Sequence, residues 1–405
     1  MLDADVIVVG AGLTGLRAAL DLRKAGLAVL VVEQREHVGG RIATSIEDGC
    51  KLDHGFQVIL RAYPELTLID GVDSLGLKPF RSGARVRWQG RFYDVVDPRE
   101  QPSALLSLLN HPFASLRDLV RLACLATFYR DTEVSSDVRS TSELLDRHRF
   151  SPPFRNAFLE PFLRGVLLDP KLSMDSAMTR FYLKVFSEGP ACLPRDGMQA
   201  LPELLLGNLG SSHVRLSSSV ADVTECEVIL ANGETLRAQR VLCALDCLAA
   251  AQLGGPEQTL PMHAVGVLYF TSAEPPYAEP LLVLNGEGDG PINNLAVLTN
   301  VQGTYAPAGT SLISVTVLGA KPYQEPQLWA QVEAQARAWY GDSVTMWRRL
   351  RSFWVDAAIP ARPRLSKGWV EHNGVFFAGD YLSYGSQNGA LRAGRKVAEA
   401  ILTEL

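Results

Sequence analysis

The chain has 405 residues, 47% of them hydrophobic and 20% charged, with 34 glycines, which is material for two intertwined domains and a full core. A net charge of -5 and a pI near 5.9 give no general attraction for nucleic acid, so that class of partner is set aside. The six cysteines, at 50, 124, 192, 226, 243 and 247, form no CxxC pair and no cysteine-histidine cluster, so no metal is expected and free thiols in a reducing cytoplasm are.

Residues 6–9, Val-Ile-Val-Val, have the length and β-branched content of a buried strand and break directly into Gly10-Ala11-Gly12-Leu13-Thr14-Gly15. That is a strand-to-helix dinucleotide turn. Gly10 permits the bend, Gly12 lets the backbone approach a pyrophosphate, and Gly15 lets the helix pack on the strand while the first NH groups of the helix, at Leu13 and Thr14, face the phosphates. A second strand over 27–32 ends on Glu33-Gln34. An acid there can accept both hydroxyls of an adenosine ribose and disfavours a 2′-phosphate. Val38-Gly39-Gly40-Arg41 then brings two bare NH groups and a guanidinium to a diphosphate.

Residues 42–60 read as a short β excursion carrying Leu52-Asp53-His54-Gly55-Phe56-Gln57-Val58-Ile59. From 61 to 189 helical patterns dominate, punctuated by prolines, with a hairpin over 84–93 and an amphipathic helical pattern over 103–129. The phenylalanines of 154–166 have core spacing and receive no individual roles. A helix over 201–209 is followed by strands over 214–216 and 219–224, a hairpin over 227–236 turning at Asn232-Gly233, and a strand over 240–245. Strand-like runs at 265–270, 280–284, 294–299 and 311–318 predict an antiparallel sheet, one face of which could floor a ligand cavity. A helix over 327–340 and a strand over 346–355 follow. The chain closes with a strand over 374–381 carrying Gly379-Asp380 and a helix that opens near Ser386-Gln387-Asn388-Gly389-Ala390.

The Gly10 to Gly15 turn, the Gly39-Gly40-Arg41 tail, the strand at Val220 and the Gly379-Asp380 ending occur in the order found in the flavin amine oxidase, phytoene desaturase and protoporphyrinogen oxidase superfamily, which the chain resembles over roughly a third of its length. The resemblance implies an α/β fold: a Rossmann-like FAD-binding domain of the GR2 type from residues 1–60, 190–255 and 361–405. It also implies a discontinuous α+β substrate domain, with an antiparallel sheet and a helical part, from 61–189 and 256–360. It implies non-covalent FAD, with Val220 holding the adenine through its backbone, His54, Gly55, Phe56 and Gln57 beneath the flavin ring, and Asp380 on the ribityl or pyrophosphate region. Gln387, Asn388 and Ala390 would then place the last helix's NH groups on the flavin.

Two departures choose within that superfamily. Ser386 stands where typical amine oxidases carry a substrate-flanking aromatic, with Tyr381 and Tyr384 near but out of register, and the strand over 262–272 lacks the lysine that holds a water at the flavin. Lys321 is a substitute candidate, or an ordinary surface lysine in a Lys-Pro turn. The expectation is therefore hydride abstraction from a C–H or C–N centre of a small or apolar organic substrate by a desaturase, dehydrogenase or oxidase, with dioxygen or a quinone as acceptor and no identifiable side-chain base. His54, Gln57, Lys321 and Tyr384 are the catalytic candidates. An amine oxidase proper, an NAD-dependent dehydrogenase and a non-catalytic flavin-binding protein are the alternatives. The first strand begins within five residues of Met1 and no apolar run reaches the length of a membrane span, so a cytoplasmic protein is expected, with peripheral membrane contact left open at 103–129.

Overall fold

The computed structural model describes residues 2–100, 111–127, 139–256, 260–319, 321–322, 324–361 and 367–405. Part of the amphipathic pattern expected over 103–129 lies outside them, and Leu116–Thr127 is its described helix.

Four β-branched residues in a row bury both faces of the opening strand, Val6–Val9, and only the middle of a parallel sheet offers that environment. Six strands run in the order Val214–Arg215, Val29–Val32, Val6–Val9, Arg240–Cys243, Val375–Ala378 and Trp369–His372. The first five are parallel, and the last, which the sequence did not announce, joins antiparallel. The helix Leu13–Lys24 packs on this sheet beside the closing helix Gln387–Glu404. A Cβ at Gly394 would lie 2.4 Å from the Thr14 carbonyl oxygen, so the missing side chain sets how closely the two helices approach. The Thr14 hydroxyl donates to the Ala390 carbonyl at 3.0 Å across the same contact.

The second sheet has seven strands, in the order Arg348–Pro360, Met262–Ser272, Ser311–Leu318, Asn294–Val297, Leu282–Asn285, Gly83–Trp88 and Arg91–Val96. It is not wholly antiparallel as expected: Leu282–Asn285 runs parallel to Gly83–Trp88, because the early hairpin is added to the edge of a sheet otherwise formed after residue 260. Much of both faces is covered, while Ala84, Val265, Leu282, Leu284 and Asn294 leave part of one open to a cavity. The helix Glu325–Tyr340 covers one with Trp329, Val332 and Trp339 against Leu268, Phe270 and Ile313. Tyr305, Leu52 and Leu193 pack with Val267, Tyr269 and Leu312 in a separate cluster.

A helical layer completes the molecule. Pro152–Phe154, the π-helical turn Arg155–Leu159 and Glu160–Leu167 form one continuous rod, beside Ser176–Glu188 and Leu116–Thr127. Wide π turns shift the side-chain register, and such shifts concentrate at functional sites.

Candidate active site

A cavity of about 1030 Å³ opens over the carboxyl ends of the parallel strands, where such sheets bind ligands. It runs on without interruption between the helical layer and the seven-stranded sheet, so cleft and interior share one space.

The cleft end is built by the opening motif. Gly10 turns the chain at φ +102, and a Cβ there would meet the Ala244 carbonyl oxygen at 2.7 Å. A Cβ on Gly12 would meet nothing within 4 Å, so this backbone faces open space that a ligand can fill. Leu13 and Thr14 line the wall from the first helical turn. Glu33 is buried, and its two oxygens accept from the Ala11 NH at 2.8 Å and the Arg35 NH at 2.9 Å. Each carboxylate oxygen keeps further lone pairs, and both Glu33 and the exposed Gln34 line the cavity. Val220 lines it from Val220–Val223, a strand of a separate three-stranded sheet.

Arg41 and Asp380, 339 residues apart, meet here at 2.6 Å, and the Arg41 guanidinium also donates to the Ala358 carbonyl at 2.9 Å. Burial works against the Arg41 charge, but the Asp380 carboxylate outweighs it and holds the guanidinium above its ordinary pKa. The diphosphate reading of Arg41 thus meets a guanidinium already anchored on one side by an acid. Gly40 and Gly379 line the same wall.

Gly55 sits at φ +103, a left-handed conformation that a side chain would strain. Phe56 packs edge-on against Phe80 at 6.3 Å and lines the cavity. The Gln57 amide donates to the Arg41 and His54 carbonyls, both at 3.1 Å, which makes it a clasp on the local backbone. His54 lines the cavity with its ring stacked on Phe353 at 4.3 Å and its Nε2 2.7 Å from the Ser45 hydroxyl. Burial, then the nearby His37, Arg35 and Arg351, lower its pKa, so the imidazole is neutral at neutral pH.

At the closing helix, Gln387 and Ala390 line the cavity. The Gln387 Nε2 donates to the Val58 carbonyl at 3.2 Å, whereas its buried Oε1 has no partner among the described residues. An acceptor of that kind suits a ligand NH. Asn388 is turned the other way. Its buried side chain accepts from the Glu65 NH at 3.0 Å, so only its backbone remains available to a ligand.

Two catalytic candidates are corrected. Lys321 is exposed and paired with Glu325 at 3.0 Å, away from the cavity, as a lysine one turn ahead of a helical glutamate would be. Tyr384 is buried behind the wall, its ring stacked on Phe181 at 4.7 Å, because the turn before the last helix points it into the core.

Several wall residues escaped the sequence reading. Tyr182, whose hydroxyl donates to the Gly385 carbonyl at 3.1 Å, lines the cavity with Tyr63. Val265 stands on the sheet strand 3.9 Å from where a Gly55 Cβ would be. Phe154, Phe158 and Phe162 form a stacked ladder along one helical rod, with centroids 5.5 and 6.1 Å apart, and Phe186 meets Phe162 edge-on at 5.2 Å. All four phenylalanines line the interior end. The spacing of four residues among the first three is the signal that could have found them, but core helices share it.

The family model for flavin containing amine oxidoreductases matches residues 13–402. The chain belongs to this family. Among curated relatives, a 4,4'-diapolycopene oxygenase from Methylomonas sp is 24% identical over 291 residues, covering 61% of this chain and 56% of that protein. A putrescine oxidase from Kocuria rosea is 44% identical over 80 residues, covering 20% of this chain and 16% of that one. The matched stretches thus span little more than half, or less, of these relatives' own lengths. A solved oxidoreductase from Methanosarcina mazei has the same fold, with a TM-score of 0.76 at 18% identity over 97% of this chain and 99% of that one. A flavin is the cofactor that family membership implies, and the open face at Gly12, the left-handed Gly55 and the unpartnered Gln387 acceptor fit it. Among the described residues, no group of three or more His, Cys, Asp or Glu side chains is placed to hold a metal ion, and no helix is long and apolar enough to cross a membrane.

Proposed function

We propose that this family member is an FAD-dependent oxidoreductase that removes a hydride from a C–H or C–N centre of an apolar organic substrate, in the manner of a desaturase or dehydrogenase. The carrying observation is the interior end of the cavity. There the Phe154, Phe158, Phe162 and Phe186 rings and Val265, with Leu282 and Leu284 of the sheet, present apolar surface to a substrate.

FAD would bind non-covalently, with Gly10, Gly12, Leu13, Thr14 and Gly15 at the pyrophosphate turn, Glu33 and Gln34 at the adenosine ribose, and Val220 at the adenine. Gly40 and Arg41 would serve the diphosphate, and Gly379 and Asp380 the ribityl region. His54 to Gln57 and the start of the last helix, including Gln387, Asn388 and Ala390, would border the ring. Bound there, FAD supplies the hydride acceptor. The chain's own residues do the rest. The stacked phenylalanines orient an apolar substrate and exclude water, Tyr182 keeps its proton, and the neutral His54 imidazole on the cavity wall is free to take up the proton released alongside the hydride. Reoxidation by dioxygen or a quinone completes the cycle, and a cytoplasmic setting suits this reading.

The amine oxidase alternative draws on the short match to putrescine oxidase, and loses ground because Val265 faces Gly55 from a strand with no lysine. The experiment is anaerobic titration of the purified protein with polyenes, porphyrinogens and amines while flavin absorbance is followed. Bleaching by apolar compounds alone supports the proposal; bleaching only by amines replaces it with the alternative. A colourless protein that takes up no FAD points to a pyridine-nucleotide dehydrogenase, and FAD bound but never bleached points to a non-catalytic role.

A further inference from the structure

On the far side of a small three-stranded sheet lies a second cavity, of about 420 Å³, lined by Arg61, Asp73, Gly76, Lys78, Arg195 and Gln302 among others. The sheet joins Ile59–Leu60, Ala191–Leu193 and Lys78–Pro79, and its Leu60 and Ala191 form wall of the main cavity. Each strand contributes a cation at or just past its end: Arg61, Lys78 and Arg195.

These cations lack the carboxylate partner that many others have in this acidic protein. Arg17, Arg41, Arg85, Arg155 and Arg395 each hold a carboxylate within 3 Å. No carboxylate pairs with Arg61, Lys78 or Arg195 among the described residues, although Asp73 lines the same cavity. Three like charges brought together repel one another, and an arrangement that keeps them unpaired suits an anion.

Arg195 is also held in place. Its NH donates to the Leu75 carbonyl at 2.8 Å, and its carbonyl accepts from the Lys51 ammonium at 2.7 Å and the Thr304 hydroxyl at 2.6 Å. Its guanidinium lies over Gly76, at φ +58, where an added Cβ would come within 2.7 Å of the terminal nitrogen. The buried Gln302 amide donates to the Gly76 carbonyl at 3.0 Å and fixes that floor. A guanidinium fork over a fixed turn, sharing one cavity with a second guanidinium and an ammonium, offers the kind of donors that the oxygens of a tetrahedral dianion accept.

We propose that this cavity is a binding site for a phosphate-class dianion, either inorganic phosphate or the phosphate of a larger molecule. The proposal is independent of the redox reading, because no residue of the cofactor cleft takes part.

The test uses the full chain saturated with FAD, so that phosphate cannot occupy the dinucleotide cleft. Inorganic phosphate is titrated at constant ionic strength against chloride, with calorimetry and 31P line width as readouts. Saturable phosphate binding, weakened about tenfold in Arg195→Gln and in Lys78→Gln but unchanged in the remote Arg240→Gln, supports the site. Gly76→Ala, which pushes on the Arg195 guanidinium, should weaken binding without altering the visible spectrum of the bound flavin. In a second arm, sedimentation with phosphatidic acid vesicles, against phosphatidylcholine alone, separates a lipid headgroup from free phosphate: vesicle binding lost in Arg195→Gln assigns the headgroup as the source. Binding of neither probe, or identical binding by wild type and both cation variants, overturns the proposal.

Discussion

The two ends of the main cavity are made by opposite means. At the cleft end the wall is backbone: glycines without side chains, exposed NH groups and one anchored guanidinium, all fixed by strand ends and helix starts. At the interior end it is side chain, a row of aromatic rings on a helical rod facing a sheet. Backbone walls fix where a ligand sits and tolerate almost no substitution. Walls of side chains can change while the fold stays, and that is where members of one family diverge in substrate.

Variants can break this contrast, and the largest effect belongs to the backbone wall. Gly12→Val fills the open space at the strand-helix turn and is expected to abolish flavin retention, read as the ratio of flavin to protein absorbance after gel filtration, with circular dichroism unchanged. Full flavin occupancy in that variant would sink the cofactor assignment. Arg41→Ala leaves Asp380, whose side chain is 7% exposed, without its partner. A loss of roughly 3 kcal/mol is expected by denaturant titration, with weaker flavin binding.

Asp53, off the cavity wall, ties three separate segments together. It accepts from the Thr44 hydroxyl at 2.6 Å and the Met198 NH at 2.9 Å on one side, and from the Tyr305 hydroxyl at 2.9 Å on the other. Burial raises its pKa from 3.8 to about 6, against the pull of those donors. The folded protein therefore binds this proton more tightly than the unfolded chain, so stability falls as pH rises from about 4 to about 6 and levels off above. Asp53→Asn should remove that slope, on the order of 2–3 kcal/mol across the window, in melts at stepped pH. An unchanged slope would place the titration elsewhere.

Smaller effects belong to the side-chain wall. Phe158→Ala is expected to raise KM for an apolar substrate roughly tenfold with flavin content intact, about 1.4 kcal/mol of lost contact. Equal loss of flavin would mean that the two ends are not separable. Smallest of all is Lys321→Ala, whose exposed pair with Glu325 is worth under about 0.5 kcal/mol and whose removal should leave turnover unchanged.

Legibility follows the same division. The Gly10 to Gly15 turn and Gly39-Gly40-Arg41 could be read because a backbone that must approach a ligand demands glycine at fixed spacing. The phenylalanine ladder could not, because rings four apart on a helix serve a core equally well, and only the surrounding elements show which face is open. The parallel pairing of Leu282–Asn285 with Gly83–Trp88 joins segments nearly 200 residues apart, with no local pattern to announce it. Tyr384 failed as a cavity side chain for a related reason, and Asn388 turns its side chain to the Glu65 NH. Position near a motif is visible in sequence, whereas the direction a side chain takes from a tight turn is decided by packing.

The close contact of the first and last helices, through Thr14, Ala390 and Gly394, has a temporal consequence. A chain emerging residue by residue forms its glycine turn early, but the wall contributed by Asp380, Gln387 and Ala390 arrives more than 360 residues later. Until then the first helix lacks the partner that covers it, and the cofactor cleft has only one side. Cofactor capture is thereby tied to the arrival of the final helix, and a nascent chain that stalls before it carries a recognition motif with no grip.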